Sequence, residues 1–354
     1  MPARPASDFH IPSLDGIRAI AALIVFLAHC GLENIIPGGF GVTLFFFLSG
    51  FLITTLLRQE YAKTSAISLK KFYLRRFYRI IPPLYIVLLV LMLPYSMGGS
   101  AHHATHIAVA AQFLQLTNYY TIIWGSDTML PDTGPMWSLA VEEHFYLLFP
   151  IALSLLLQRL DYRRIGIIFA FACLAVLAWR CVLLFCLGVG HDYIYFATDT
   201  RLDSLLYGCV MGVWLNPVLG RNFVNVSNGR WIGVLVLAFA ILALTFLYRS
   251  DSFRETFRYS LQGVALFPIF FCAIRKHTWP IFRWLESRPV RFLGLISYTF
   301  YLIHLKALVT VDRYVEAPMP VRAVLGFMLA VAFSSAMYFL VERHLSALRR
   351  RLHS

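Results

Sequence analysis

Residues 40–57 read FGVTLFFFLSGFLITTLL and contain no charged side chain. A helix of this length extends about 27 Å, since each residue adds 1.5 Å. That extension approaches the roughly 30 Å of hydrocarbon in a bilayer. The stretch therefore predicts a helix that spans a membrane.

Apolar windows of comparable length recur along the chain and predict an all-α membrane protein of ten spans, at 17–32, 40–57, 80–98, 137–158, 165–188, 201–215, 231–248, 259–274, 292–311 and 321–341. An even number of spans places both termini on one side, which the charges below assign to the cytoplasm. One membrane domain, residues 14–345, is expected between a cytoplasmic tail (1–13) and a basic tail (346–354). Residues 104–116 are too short to cross and predict a re-entrant or interfacial helix at the outer face.

Composition and charge support this class. Of the 354 residues, 59% are hydrophobic and 14% charged, whereas soluble domains are near a quarter charged. By the predicted topology, 22 of the 31 basic residues fall on one side and 4 on the other: Arg249, Arg254, Arg258 and Arg313. This is the positive-inside pattern. It explains the net charge of +13 without a nucleic-acid partner.

The first predicted span contains two ionisable residues, Arg18 and His29. They are three helical turns apart on one face, roughly 16 Å along the axis. A charge in hydrocarbon is costly and usually functional. The pair is interpreted either as a packing anchor or as an electrostatic clamp (Arg18) with a deeper general base (His29).

A basic cluster, residues 70–83, precedes the third span and contains Arg75, Arg76 and Arg79. Such clusters commonly orient a membrane protein and attract anionic lipid heads. Arginine also binds phosphate through two parallel N–H donors, which lysine cannot do. Phosphate recognition is therefore the alternative that the arginines favour.

The third signal is the sequence WSLAVEEHFY at 137–146. Trp137 and Tyr146 are typical of membrane interfaces, but Glu142 and Glu143 are not. Neighbouring residues on a helix point about 100° apart, so only one of the two carboxylates is expected to face an interior site.

Other polar residues are weaker candidates. His102, His103 and His106 lack neighbouring Cys or acidic residues, which argues against a metal site. His304 is either a second site histidine or a satisfied core residue. Arg201 and Asp203 are either acceptor-side polar groups or a structural ion pair.

Several motifs together resemble the acyltransferase-3 family of integral membrane acyltransferases. They occur in family order between residues 14 and 343: LDGIR at 14–18 with His29, GVTLFFFLSGFLI at 41–53, RRFYRIIP at 75–82, WSLAVEEHFY at 137–146, RLDSLLYG at 201–208, SYTFYLIH at 297–304 and VER at 341–343. The departures are Thr43, where the family usually has an acidic or other polar residue, and His344, where it has proline.

The resemblance implies a multi-pass protein of the plasma (bacterial inner) membrane that is an O-acetyltransferase. An acyl group, usually acetyl, would pass from cytoplasmic acyl-CoA to a hydroxyl of a cell-surface or lipid-linked carbohydrate, without a metal or nucleic acid. By this resemblance His29 and Glu142 are the catalytic candidates, and the acyl-CoA ligands are Arg18, Arg75, Arg76 and Arg79. The remaining candidates for contact with the acceptor are Trp137, Tyr146, Arg201, Asp203 and His304.

The predicted mechanism has the thioester beside His29, which would deprotonate the acceptor hydroxyl while Glu142 fixes its tautomer. A covalent acyl-histidine relay would use the same residues. Two other classes stay open: a proton-coupled or anion transporter, which needs no CoA phosphate site, and a lipid-binding scaffold, in which His29 would be replaceable.

Overall fold

The computed structural model describes residues 11–96, 104–220 and 227–351. Those ranges contain seventeen α-helices and no β-strand: α1 Pro12–Leu27, α2 Gly38–Thr64, α3 Leu69–Ser96, α4 His106–Phe113, α5 Thr117–Trp124, α6 Trp137–Arg159, α7 Tyr162–Cys181, α8 His191–Phe196, α9 Thr198–Val213, α10 Asn228–Leu247, α11 Asp251–Glu255, α12 Phe257–Arg275, α13 Pro280–Arg283, α14 Arg288–Leu295, α15 Ser297–Tyr314, α16 Met319–Met337 and α17 Arg343–Arg351.

Eight helical stretches among the described residues are long and apolar enough to cross a bilayer; they include α1, α2, α3, α6, α7, α10, α12 and α16. The helices α14 and α15 pass the same test only together. Helix α9 coincides with a predicted span, but its 16 residues rise only about 24 Å. The all-helical, multi-spanning class is thus confirmed, while the count of ten and the cytoplasmic termini stay predictions.

The predicted span at 292–311 is interrupted in the structure, because α14 and α15 are bent by 78°. The bend lays α14 against the first turns of α1. A Cβ atom on Gly294 would lie 1.9 Å from the carbonyl oxygen of Asp15, so only glycine permits this approach. The contact fixes the end of α1 that carries Arg18.

Helix α9 lies in the core, packed mainly against α2, α7 and α12. Its contact with α2 is made backbone to backbone at two glycines. A Cβ on Gly208 would lie 2.0 Å from the Phe47 carbonyl oxygen, and one on Gly50 would lie 1.9 Å from that of Leu205. Small residues allow such crossings where lipid provides no hydrophobic drive between helices.

The region of the predicted outer helix, 104–116, contains α4, whose eight residues rise only about 12 Å and cannot cross a bilayer. A second short helix, α5, follows it. The placement of α4 at the outer face stays a prediction. His102 and His103 lie outside the described residues, so the interpretation of the histidine group is not tested.

Candidate active site

Two cavities lie end to end along the same helices. One, of about 350 Å³, is lined by Arg18, Arg76 and Arg79, and we call it the basic cavity. The other, of about 830 Å³, is lined by His29, and we call it the histidine cavity. Both are within the size range of small-molecule sites. Val42 and Tyr301 line both cavities, so the two meet there.

The three arginines of the basic cavity come from α1 and α3. Arg18 is held by an ion pair with Asp15, with Nη1 and Oδ1 2.8 Å apart. Arg76 lies over the ring of Tyr146, 5.1 Å from its centroid. Three guanidinium groups around one small cavity form a site suited to phosphate oxygens.

Glu142 lies in the basic cavity and is held by two hydroxyl groups. The Tyr146 hydroxyl donates to Oε2 at 2.7 Å, and the Ser49 hydroxyl donates to Oε1 at 3.1 Å. Glu143 lines the same cavity. The prediction that only one carboxylate faces an interior site is therefore wrong, because the residues of α6 that line the cavity span an arc wider than the roughly 100° between the two carboxylates.

His29 lies where α1 ends in a π-helical turn, Ala28–Leu32, with Gly31 at φ 84°. Its Nδ1 is 2.9 Å from the carbonyl oxygen of Val25 and 3.1 Å from Nε2 of His304. The Nδ1 of His304 is 2.7 Å from the carbonyl oxygen of Tyr301. The turn thus brings His29, which lines the histidine cavity, against the buried His304.

These contacts assign the tautomers of the neutral rings. A carbonyl oxygen only accepts hydrogen bonds, so Nδ1 of His304 carries the proton and its Nε2 is an acceptor. By the same reasoning Nδ1 of His29 carries its proton and donates to Val25 and His304. Nε2 of His29 therefore keeps its lone pair, as a general base requires. Within the described part of the chain no hydrogen-bond partner is found for this nitrogen.

Tyr301 forms the boundary between the cavities and is fixed there by α6. Its hydroxyl donates to the carbonyl oxygen of Pro135 at 2.9 Å and lies 2.7 Å from Oγ of Ser138. Only 6% of the side chain is exposed. A molecule reaching from one cavity into the other has to pass this ring.

A family model described as an acyltransferase domain matches residues 11–339. The chain belongs to this acyltransferase family.

Curated relatives carry related names. The O-acetyltransferase OatA of Staphylococcus aureus strain NCTC 8325 / PS 47 is 29% identical over 347 residues, covering 95% of this chain and 57% of that protein. A putative O-acetyltransferase of S. aureus strain COL is 30% identical over 351 residues, covering 94% of this chain and 57% of its own. This acyltransferase thus spans little more than half the length of these relatives. No solved structure matches it.

Arg75 of the acyltransferase was predicted to bind acyl-CoA with Arg76 and Arg79, but it faces away from the basic cavity. Its Nη2 pairs with Oε2 of Glu60 on α2 at 3.0 Å. Since successive helical residues point about 100° apart, the side chains of Arg75 and Arg76 contact different neighbours. The Arg75 prediction is therefore corrected to a pair between helices.

The predicted contact between Glu142 and His29 is also corrected. Glu142 lies in the basic cavity and His29 in the histidine cavity. The position expected for Glu142 is occupied by His304, which is 1% exposed and touches His29 directly.

The five predicted acceptor contacts do not converge on one site. Trp137 lines the histidine cavity and Tyr146 the basic cavity. Asp203 pairs with Arg180 at 2.7 Å, and neither side chain is exposed. Asp203 is therefore a core ion-pair residue, not an acceptor contact, and its partner is not the predicted Arg201.

The sequence interpretation missed Ser49 and Tyr301, although both lie in motifs quoted above. Ser49 is a lone hydroxyl in an apolar run, and Tyr301 precedes His304 by one helical turn. It also missed His191, which lines the histidine cavity, and its partner Glu255. Nδ1 of His191 donates to Oε1 of Glu255 at 2.6 Å, and this hydrogen bond raises the pKa of His191.

Proposed function

We propose that this acyltransferase moves an acetyl group from cytoplasmic acetyl-CoA to a hydroxyl of a cell-surface or lipid-linked carbohydrate at the opposite membrane face. The observation that supports it best is the pair of cavities stacked along α1, α2, α6 and α15. One is lined by arginines and the other by a histidine with an available lone pair. The charge distribution supports a cytoplasmic position for the basic cavity, and we place the protein in the plasma membrane of a bacterium.

The donor binds through the basic cavity. Arg18, Arg76 and Arg79 hold its phosphates, and the narrow pantetheine arm extends past Tyr301 toward His29. Glu142 and Glu143 line the same cavity as Arg76 and offset part of the positive charge of its arginines. Arg75 has no part in this site.

Acyl transfer takes place at His29. Its Nε2 accepts the proton of the acceptor hydroxyl, and the hydroxyl oxygen forms a bond with the thioester carbon. The C–S bond then breaks, and the proton passes from His29 to the sulfur of CoA. His304 holds the ring in the tautomer that this step needs, a part that a carboxylate performs in other triads. A covalent acyl-histidine route would use the same nitrogen.

The names of the relatives support acetyl as the acyl group and oxygen as its acceptor. Those proteins are longer than this chain, so their complete activities do not transfer to it directly. The proposal for this chain is limited to what its two cavities can bind.

Transfer of radiolabelled acetyl from acetyl-CoA to oligosaccharides, by protein in liposomes, tests the proposal. His29→Ala should lower the rate by about 10² to 10⁴, the usual contribution of a general base. It should leave acetyl-CoA binding intact, because His29 lies outside the basic cavity. His277→Ala is the matched control, since His277 pairs with Glu286 and lines neither cavity.

Unchanged transfer by His29→Ala would contradict the catalytic assignment. A wild-type protein that neither binds nor consumes acetyl-CoA would contradict the proposed function and favour the transporter.

A further inference from the structure

Cations are scarce on the predicted outer side of this protein, and they are concentrated at one place. Of the four outer arginines, Arg249, Arg254 and Arg258 line the histidine cavity. They belong to one short stretch that runs from just after α10 to the first turn of α12. Outer segments of membrane proteins usually contain few cations. Three arginines at one outer cavity depart from this tendency, which suggests that they have a function there.

Two of these arginines are held by neutral groups. Nη2 of Arg249 donates to the Asn34 carbonyl oxygen at 2.6 Å, and Nη2 of Arg258 donates to the Tyr259 hydroxyl at 2.9 Å. Arg254 is 3.8 Å from Asp251 in an exposed pair. A guanidinium group has five N–H donors. Most of those donors are therefore left for a ligand.

Three carboxylates, those of Glu33, Asp127 and Asp192, also line the cavity. All three are exposed, as are Arg249 and Arg254, so water screens the charges of both groups. No ion pair among the described residues joins any of them to the three arginines. The nearby carboxylate of Glu255 is bound to His191 through Oε1, while its Oε2 has no hydrogen-bond partner among the described residues.

A fourth cation lies behind the cavity wall. Arg201 is fully buried, and its Cζ is 4.0 Å from the ring centroid of Tyr259 and 5.4 Å from that of Trp137, both of which line the cavity. Its polar contacts are the Tyr195 carbonyl oxygen and the Thr43 hydroxyl. Its Nε has no hydrogen-bond partner.

Within the described residues no carboxylate pairs with Arg201. A buried charge of this kind is costly unless something compensates it, and it is little screened by salt. The deep part of the cavity is consequently positive, although acids and arginines balance at its rim.

We propose that the histidine cavity binds an anionic acceptor, whose carboxylate or phosphate contacts Arg249, Arg254 and Arg258 while its hydroxyl reaches His29. The inference rests on the proposed function and specifies its acceptor class. Paired N–H donors on arginine match both anions. The anion has two sources: an acidic sugar, or the phosphate that links a neutral saccharide to a lipid.

Binding by equilibrium dialysis, without acetyl-CoA, separates these sources through two matched pairs. The first pair is a glucuronate-containing oligosaccharide and the same oligosaccharide with its carboxyl groups reduced to alcohols. The second is a neutral saccharide linked to a polyprenyl phosphate and the same saccharide linked to the uncharged polyprenol, both measured in detergent. In one of the pairs the charged member should bind about ten-fold more tightly, as expected for a hydrogen bond to a charged group.

The double variant Arg249→Gln/Arg258→Gln should lose this preference. Arg313→Gln, which removes the outer arginine away from the cavity, should keep it. The thermal unfolding midpoint of each variant shows that it is folded, and Arg249→Lys/Arg258→Lys, which keeps the charge, should retain part of the preference.

The inference would be overturned if the wild-type protein bound both members of each pair with equal affinity. It would also be overturned if Arg313→Gln lost the preference for the charged ligand as the double variant does. Failure of the proposed function gives a different result, namely no acetyl transfer to any acceptor, because binding is measured independently of the donor.

Discussion

At the scale of single residues, the contacts of His29 Nδ1 with Val25 and His304 determine which nitrogen of His29 is available for chemistry. A histidine in a triad-like pair needs a partner that accepts from one ring nitrogen, so that the other keeps its lone pair. His304 can accept because its own proton is held by the carbonyl oxygen of Tyr301. It acts as a positioning residue, because it contacts His29 and not the donor.

Replacement of His304 tests this role. His304→Phe should lower kcat at least about ten-fold, because His29 loses an acceptor that fixes its tautomer. His304→Gln, whose amide oxygen can accept, should recover part of the rate. The KM for acetyl-CoA should stay the same in both variants, because the basic cavity is untouched. Equal activity of the Phe and Gln variants would show that His304 serves packing alone.

The two histidines also show how far sequence reasoning extends at this scale. Arg18 and His29 were found because an ionisable side chain in hydrocarbon needs a reason to be there. The pairing of His29 with His304, 275 positions later, depends on how α1 packs against α15. Glu142 was an equally good partner on sequence grounds, and only the fold separates it from His29.

At the scale of elements, α3 presents two successive arginines to two different neighbours. Arg75 faces α2 and pairs with Glu60, whereas Arg76 faces the basic cavity. The sequence shows that the cluster is basic and rich in arginine, but the direction of each side chain depends on the rotation of α3 against α2.

This division predicts unequal effects of two neighbouring substitutions. Arg76→Gln should raise the KM for acetyl-CoA about ten-fold or more, because a charge-assisted contact to phosphate is lost. Arg75→Gln removes a pair between helices and should leave that KM within about two-fold. Steady-state kinetics with detergent-purified protein measures both. If Arg75→Gln raises KM as much as Arg76→Gln, the cluster attracts CoA only through its overall charge.

The helices themselves were largely predictable, because the length of an apolar run is a local signal. The bend between α14 and α15 was not, since it depends on the contact of Gly294 with the backbone of Asp15. The short α9 was predicted as a span, yet its 16 residues are held by helices on several sides. Packing replaces lipid as the environment of this helix.

At the scale of the whole molecule, the order of the two cavities along the helices carries the functional argument. Arg18 and His29 lie on the same helix, about 16 Å apart along its axis, and each lines a different cavity. If the basic cavity faces the cytoplasm, the reacting thioester lies about halfway through roughly 30 Å of hydrocarbon. The acceptor then approaches from the other face.

Cysteine labelling in a background without the six native cysteines tests this sidedness. Ser126 is exposed at the histidine cavity, and Ala66 is exposed beside the basic cluster, just after α2 ends. In sealed, oriented vesicles, Ser126→Cys and Ala66→Cys should react with a membrane-impermeant maleimide from opposite faces. Arginine-rich loops are retained in the cytoplasm, so Ala66→Cys should react from that side. Reaction of both from one face would contradict the topology and the transmembrane route of the acetyl group, because the two cavities would then open to the same compartment.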